Sequence, residues 1–294
     1  NIVASTLACW FVYRLSLTIT ESKNAALAGL ALIALYPHHI NWVRYISSDT
    51  AAMFFLTAAI FLFVCFKNFW LSCFLSALML GVATITRLTC LPVVLAPLAV
   101  FMRAKHHKRL LVYGIVFSIP LLAIIGVNYA HTGKVFIATN VATNWIISAE
   151  SRSDAIYYDD GKIPLTKQIM RDKDAGAALR FYLQGLRENP REWFVKRAYS
   201  LWELWGPYPL SKKGNAKEQL LIGLRFVLLC LGIVGSRKLF LTDKVHFLML
   251  WGPIILVSVI HGLMFSVPRY TLLMEPLVIV LAIQGASVCR CKKS

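Results

Sequence analysis

Nine apolar stretches, joined by short polar connections and one long one, restrict this chain to one kind of fold. They run over Asn1–Thr20, Asn24–Tyr36, Thr50–Phe66, Asn68–Thr86, Leu88–Met102, Leu110–Ala130, Gln219–Gly235, Val245–Val267 and Thr271–Val288. A helix that crosses a bilayer needs about 20 residues, within a range of about 17–25, because hydrocarbon offers no partner to a free backbone N–H or C=O. Most of the stretches meet that length. Asn24–Tyr36 stops at Pro37, and Leu88–Met102 carries Pro92 and Pro97, which remove backbone donors and kink a helix. Either short stretch is also readable as re-entrant. None shows the sustained polar–apolar alternation of a membrane β-barrel strand. The expected fold class is therefore an all-α polytopic membrane protein, a helical bundle of about nine spans.

Composition agrees and removes two other classes. Of 294 residues, 58% are hydrophobic and 15% charged, against about 25% charged in soluble domains. A disordered chain is excluded by its hydrophobicity. A soluble nucleic-acid binder could share the net charge of +17, but not the long apolar runs, so no nucleic-acid partner is expected.

The distribution of the basic residues sets an expected orientation. Arg103, Lys105, Lys108 and Arg109 share one connection, Arg237, Lys238 and Lys244 another, and Arg290, Lys292 and Lys293 end the chain. Alternating the spans puts these on one face together with Lys23 and Lys67, which reads as cytoplasmic. The short loops of the other face hold only Arg44, Arg87 and Arg269. The long connection His131–Glu218 falls on that outer face. Its 14 Lys+Arg and 10 Asp+Glu are exempt from the charge rule and suit anionic headgroups or anionic substrates. This divides the chain into a transmembrane part over 1–130, an extracytoplasmic loop subdomain over 131–218, and C-terminal spans with a basic cytoplasmic tail over 219–294. The same parity puts Asn1 outside, and with no initiator Met it suggests that a span and an outer loop precede it. Cys9, Cys65, Cys73, Cys90 and Cys230 lie in spans and none of the seven cysteines lies in the outer loop, so no disulfide framework is expected.

Within the outer loop, the β-branched and aromatic stretch Lys134–Ile147 predicts an extended segment, giving the subdomain an α+β character. A helical pattern covers Ala175–Glu188. Asn189-Pro190 then supplies an N-cap and a first-turn proline for a helix over Arg191–Trp205. That helix sets Phe194, Ala198, Leu201, Trp202 and Trp205 on one stripe, with Trp193, Lys196, Arg197 and Tyr199 beside it. Rings next to cations suit the headgroup layer, so Lys196, Arg197, Trp193 and Trp202 are candidate lipid-interface residues. Packing on the bundle is the alternative. Asp172-Lys173-Asp174 has the spacing of a metal–diphosphate motif, but it lies in a solvated charged run, and Asp159-Asp160 reads as a turn. No metal ligand set is assigned.

Ionisable residues at the membrane edge are costly and mark function. Arg87, in TITRLTCLP, stands between two uncharged stretches, where its guanidinium can clamp a phosphate. Arg269 and Tyr270 precede Glu275 in VPRYTLLMEP, and Arg269 has a phosphate or Glu275 as candidate partners. Asp49 begins its span beside Arg44, His38 and His39, so these read as one compact polar cluster; the alternative for Asp49 is a helix cap. His261 lies one to two helical turns before Arg269. Arg14 and Arg225 sit inside spans and carry no assignment. An outer polar cavity with lone arginines fits the handling of a lipid-linked anionic substrate.

At these residues the chain resembles the bacterial GT-C glycosyltransferases, the group of the protein O-mannosyltransferases and the aminoarabinose transferases of lipid A. LALIALYPHHI, SSDTAAMFFLTAAIFLFV, LMLGVATITRLTCLPVVLAPLAV, NYAHTGKVFIATNVATNW, LRENPREWFVKRAYSLWELW and VPRYTLLMEPLVIVLA follow in the family's order. The resemblance implies a GT-C-like bundle in the bacterial inner membrane. It implies transfer of a sugar from a polyprenyl-phosphate donor to a lipid, glycan or protein acceptor on the extracytoplasmic face. It assigns Arg87 and Arg269 to the donor phosphate or the shaping of the cavity, sets Tyr270 in the motif with Arg269, and gives Asp49 the polar organisation of the site. Arg44, His39, Glu275 and His261 complete the candidate set. The catalytic Asp of the family belongs to a first outer loop, expected upstream of Asn1. No nucleotide or redox cofactor is implied, and a divalent metal is left open. IISAESRSD departs from the family's glycine-rich turn after the Thr-Asn motif and puts substrate contacts there in question. A lipid-linked-saccharide flippase and an O-antigen ligase-like enzyme remain as alternatives.

Overall fold

The nine stretches become helices in the structure, a computed structural model that describes residues 1–44, 47–66, 68–138, 144–146, 148, 175–206, 216–264 and 268–291. Among the described residues there is no strand. The chain is a multi-pass membrane protein, and five helices are long and apolar enough to cross a bilayer: Ile2–Thr20, Ser48–Cys65, His107–Thr132, Gln219–Thr242 and Lys244–Leu263. Four shorter apolar helices, Lys23–Leu35, Trp70–Thr86, Leu88–Arg103 and Glu275–Ser287, match the remaining stretches.

Two compact units divide the chain. Unit 1 comprises Asn1–Ile137, Leu224–Val257 and Thr271–Ser294, and unit 2 comprises Ala138–Gly223 and Ser258–Tyr270. In unit 1, α1 (Ile2–Thr20), α2 (Lys23–Leu35) and the short α3 (Pro37–Val43) are followed by α4 (Ser48–Cys65) and α5 (Phe69–Thr86). Pro37, read from sequence as a stop, is the first residue of α3, where a missing N–H costs nothing. The stretch Leu88–Met102 is broken as its prolines require: a 3-10 segment, Leu88–Val94, holds Pro92 and leads into α6 (Leu95–Arg103). Then come α7 (His107–Thr132), α10 (Ala216–Thr242), α11 (Lys244–Leu263) and, after a 3-10 turn over Pro268–Leu273, α12 (Glu275–Cys291); the start of α10, through Gly223, and the end of α11, from Ser258, belong to unit 2, as do the intervening α8 and α9.

α12 is the centre of unit 1. Every residue from Leu277 to Ala282 is buried, so this helix is apolar all round, as a surrounded helix must be. α1 and α2 both pack on it, α4 packs on α1 and α5, and α5 packs on α7. α10 crosses α12 backbone against backbone. A Cβ at Gly285 would fall on the Leu231 carbonyl oxygen, and one at Gly235 on the Leu281 carbonyl oxygen. Small residues at such crossings give membrane helices their van der Waals contact, since lipid removes the hydrophobic drive between them.

Unit 2 holds α8 (Ala175–Glu188) and α9 (Pro190–Trp205), which pack together. α9 starts as Asn189-Pro190 predicts: the Asn189 side chain accepts from the Glu192 amide at 3.3 Å, and Pro190 is the first helical residue. The extended segment expected over Lys134–Ile147 is not found in its described part. Residues 134–138 are irregular and 144–146 form a helical turn, with Ile146 fully buried beside Ala178 of α8. Strand preference reflects packing on a pleated surface. With no partner strand among the described residues, burial of Trp145 and Ile146 against α8 decides the conformation.

The α10–α12 crossing gives a direct test. Gly285→Leu should lower the thermal unfolding midpoint in detergent, by about 1–3 kcal/mol of overpacking. Gly114→Leu, at a position where an added Cβ meets nothing within 4 Å, should not.

Candidate functional site

α4 and α5 are both 18-residue helices joined by a short connection, so they run antiparallel with matched ends. Each is about 27 Å long. The first turn of α4 therefore lies level with the last residue of α5. This puts Asp49 opposite Arg87, and Asp49 Oδ1 pairs with Arg87 Nη1. The Asp49 side chain is 6% exposed and that of Arg87 16%. Arg87 ends α5 in an extended conformation (φ −150°, ψ 108°), its N–H still bonded to Ala83 O at 2.8 Å. Asp49 lies in the first turn of α4, and its carboxylate forms an ion pair with this guanidinium.

The cluster expected around Asp49 divides. His38 does not join it: its Nδ1 meets Glu275 Oε1 at 2.6 Å, and its Nε2 accepts the Trp42 indole N–H at 2.9 Å. Because indole nitrogen only donates, Nε2 is the acceptor, and His38 is the neutral tautomer with its proton on Nδ1, donated to Glu275. Thr271 Oγ1 donates to the same Glu275 oxygen at 2.9 Å. Trp42 also links this set to α4, since Thr50, next to Asp49, donates to the Trp42 carbonyl at 3.5 Å. His39 turns the other way and meets Ser5 Oγ at 2.6 Å, on the wall of a largely apolar groove of about 690 Å³ between α1, α2 and α3. Arg44 is exposed at the end of α3 and donates to Asn41 Oδ1 at 2.6 Å. Sequence reasoning thus placed in one cluster four residues that lie in different settings, because the adjacent His38 and His39 leave α3 in different directions, Arg44 ends that helix and Asp49 belongs to the next.

Two residues gain a setting the sequence did not give them. Arg225 is buried within electrostatic range of Tyr36, as is Glu275, so the polar end of unit 1 includes a third buried guanidinium-or-carboxylate group from a distant helix. Arg14 is exposed, with its guanidinium 5.7 Å from the Trp10 ring. Asp172, Asp174, Asp159 and Asp160 lie outside the described residues, as does the Arg269 side chain. Among the described residues no three His, Cys, Asp or Glu side chains converge.

In unit 2, His261 and Tyr270 are both buried and stack with ring centroids 4.3 Å apart and planes 20° from parallel. Arg197 corrects the sequence reading. It was expected among headgroups, yet it is 6% exposed and donates to Leu263 O at 2.5 Å, Met264 O at 2.8 Å and Ser148 O at 2.7 Å. Tyr182 Oη also donates to Leu263 O, and the Arg197 guanidinium lies over the Tyr182 and Trp193 rings. Leu263 and Met264 end α11, whose last carbonyls lack helical partners, so Arg197 satisfies a helix C-terminus rather than a lipid. Burial lowers the Arg197 pKa and raises that of Tyr182, while each partner opposes the shift of the other. Lys196 pairs with Glu192 at 3.0 Å, Trp193 is half-buried against Tyr182, and Trp202 with Phe194 remains exposed.

Residues 1–132 match the family model described as dolichyl-phosphate-mannose-protein mannosyltransferase, a GT-C family domain. The matched span contains α1 to α7 and the Asp49–Arg87 pair. It supports a membrane glycosyltransferase in general. No curated protein and no solved structure matches significantly.

For Arg197, truncation leaves buried carbonyls without their charged donor. Arg197→Ala should cost about 3 kcal/mol, at the upper end for bonds to a charged group, and expose α9 to protease. Lys196→Ala, which removes only a surface pair, should leave the unfolding midpoint within about 1 kcal/mol of the parent.

Proposed function

We propose that this protein transfers a mannosyl residue from a polyprenyl-phosphate donor to a hydroxyl acceptor on the extracytoplasmic face of a bacterial inner membrane. The observation that carries the reading is the Asp49–Arg87 pair, inside the region that matches the mannosyltransferase family. A guanidinium has five N–H donors, so Arg87 can keep Asp49 and still take a phosphate oxygen. Asp49 then acts as a positioning residue that holds the guanidinium at the end of α5.

As the sugar leaves, negative charge grows on the polyprenyl phosphate, and a fixed cation at that oxygen lowers the barrier more than it lowers the ground state. The acceptor hydroxyl needs a carboxylate base. Family resemblance assigns that base to an outer loop, and assigns Arg269 to the donor phosphate with Arg87. Glu275 fits a supporting part, since His38 and Thr271 already engage it.

Radiolabelled polyprenyl-phosphate mannose offered to membranes carrying the full-length gene product tests the reading. Donor turnover should be measurable, and Arg87→Gln should lower kcat/KM by about 100-fold, the usual loss for one electrostatic donor, with membrane insertion intact. Wild-type kinetics in Arg87→Gln would reduce Arg87 to an anchor at the membrane edge.

A further inference from the structure

We propose that the basic end of unit 1 carries a binding site for one anionic phospholipid, in the wedge between α6 and α11. These helices run antiparallel and touch closely at one point: a Cβ on Gly252 would stand 2.8 Å from the Ala96 Cβ. Beyond that contact they part. The gap is a groove of about 390 Å³ lined by Val100, Arg103, Phe240, Lys244, Phe247 and Leu248. Phe240 and Phe247 form one wall as an edge-to-face pair with centroids 5.1 Å apart.

Three features select the occupant. The groove floor is apolar, which suits an acyl chain and not a free anion. Arg103, from the last turn of α6, and Lys244, at the start of α11, are both exposed cations at its rim, which suits a phosphodiester. The neighbouring carboxylate, Asp243, offsets one of these two charges at most and is turned toward its own helix. Its Oδ1 accepts from the Val245 and His246 amides at 3.0 Å each, and its Oδ2 meets the His246 ring. Beside the rim, Phe240 is 51% and Leu241 70% exposed, apolar area that acyl chains cover and water does not. A basic groove between membrane helices at the headgroup level is the usual form of an anionic-lipid site, and its volume accepts a headgroup with the upper part of one chain. The site is not the donor site. The 3-10 segment and α6 separate Arg103 from Arg87 by roughly 25 Å of helix.

The test uses the purified protein in detergent with a fixed excess of phosphatidylglycerol and phosphatidylcholine of identical chains, read by native mass spectrometry. Phosphatidylglycerol should be retained in preference. Arg103→Gln/Lys244→Gln should reduce that preference about thirtyfold, from about fivefold per cation at an anionic surface. Arg237→Gln/Lys238→Gln, on basic residues that do not line the groove, should leave it unchanged. Glycerol phosphate without chains should not compete. The proposal is overturned if the parent holds both lipids equally, if the Arg237/Lys238 variant loses as much, which would make the effect general surface charge, or if glycerol phosphate displaces the lipid. None of these readouts depends on glycosyl transfer, so this site and the transferase reading fail separately.

Discussion

The pairing of Asp49 with Arg87 is the interaction on which the polar end of unit 1 depends. A single charge at the end of an apolar hairpin is expensive; two opposite charges at matched ends are tolerated because each offsets the other's desolvation. The pair in turn ties the start of α4 to the end of α5. Arg87 leaves the helix there, and the 3-10 segment with Pro92 begins. Next to it, Thr50 and Trp42 connect α4 to His38 and Glu275. These contacts join groups from α3, α4, α5 and α12 that are far apart in sequence.

Much of this is legible in the sequence because hydrocarbon is a strict solvent. Apolar runs have nowhere else to go, so the nine stretches reappear as helices, and Pro92 breaks its stretch where expected. Arg87 is marked by its isolation and Asp49 by the polar residues beside it. Their pairing was not read, although the signal was present: two stretches of similar length with a short connection run antiparallel and set their outer ends nearly level. The His38–Glu275 contact had no such signal, since it joins residues 237 positions apart. Arg197 misled for a different reason. A helix face of rings and cations looks the same whether its cations meet lipid phosphates or protein carbonyls, and only the unsatisfied end of α11 decides between them. Strand propensity failed over residues 134–138 and 144–146 because it describes a fit to neighbours that are not there among the described residues.

Unit 1 thus has two chemically different ends. One pairs Asp49 with Arg87 and His38 with Glu275, with Arg225 buried within electrostatic range of Tyr36. The other exposes Arg103 and Lys244 beside uncovered aromatic surface. The same residue types thus stand in two settings, and burial with partners is what distinguishes them.

The central claim is that Asp49 and Arg87 act as one paired unit that both completes the fold and holds a cation for the donor phosphate. A charge-swap cycle measures this directly, with unfolding midpoint and mannosyl transfer read on the same full-length preparations. Asp49→Arg and Arg87→Asp should each lose about 3–5 kcal/mol, as expected for a broken buried pair. The double swap should recover most of that stability and yet transfer no sugar, because a carboxylate then stands where the phosphate must bind. Single swaps as stable as the parent, or a double swap that transfers sugar at the parental rate, would contradict the account.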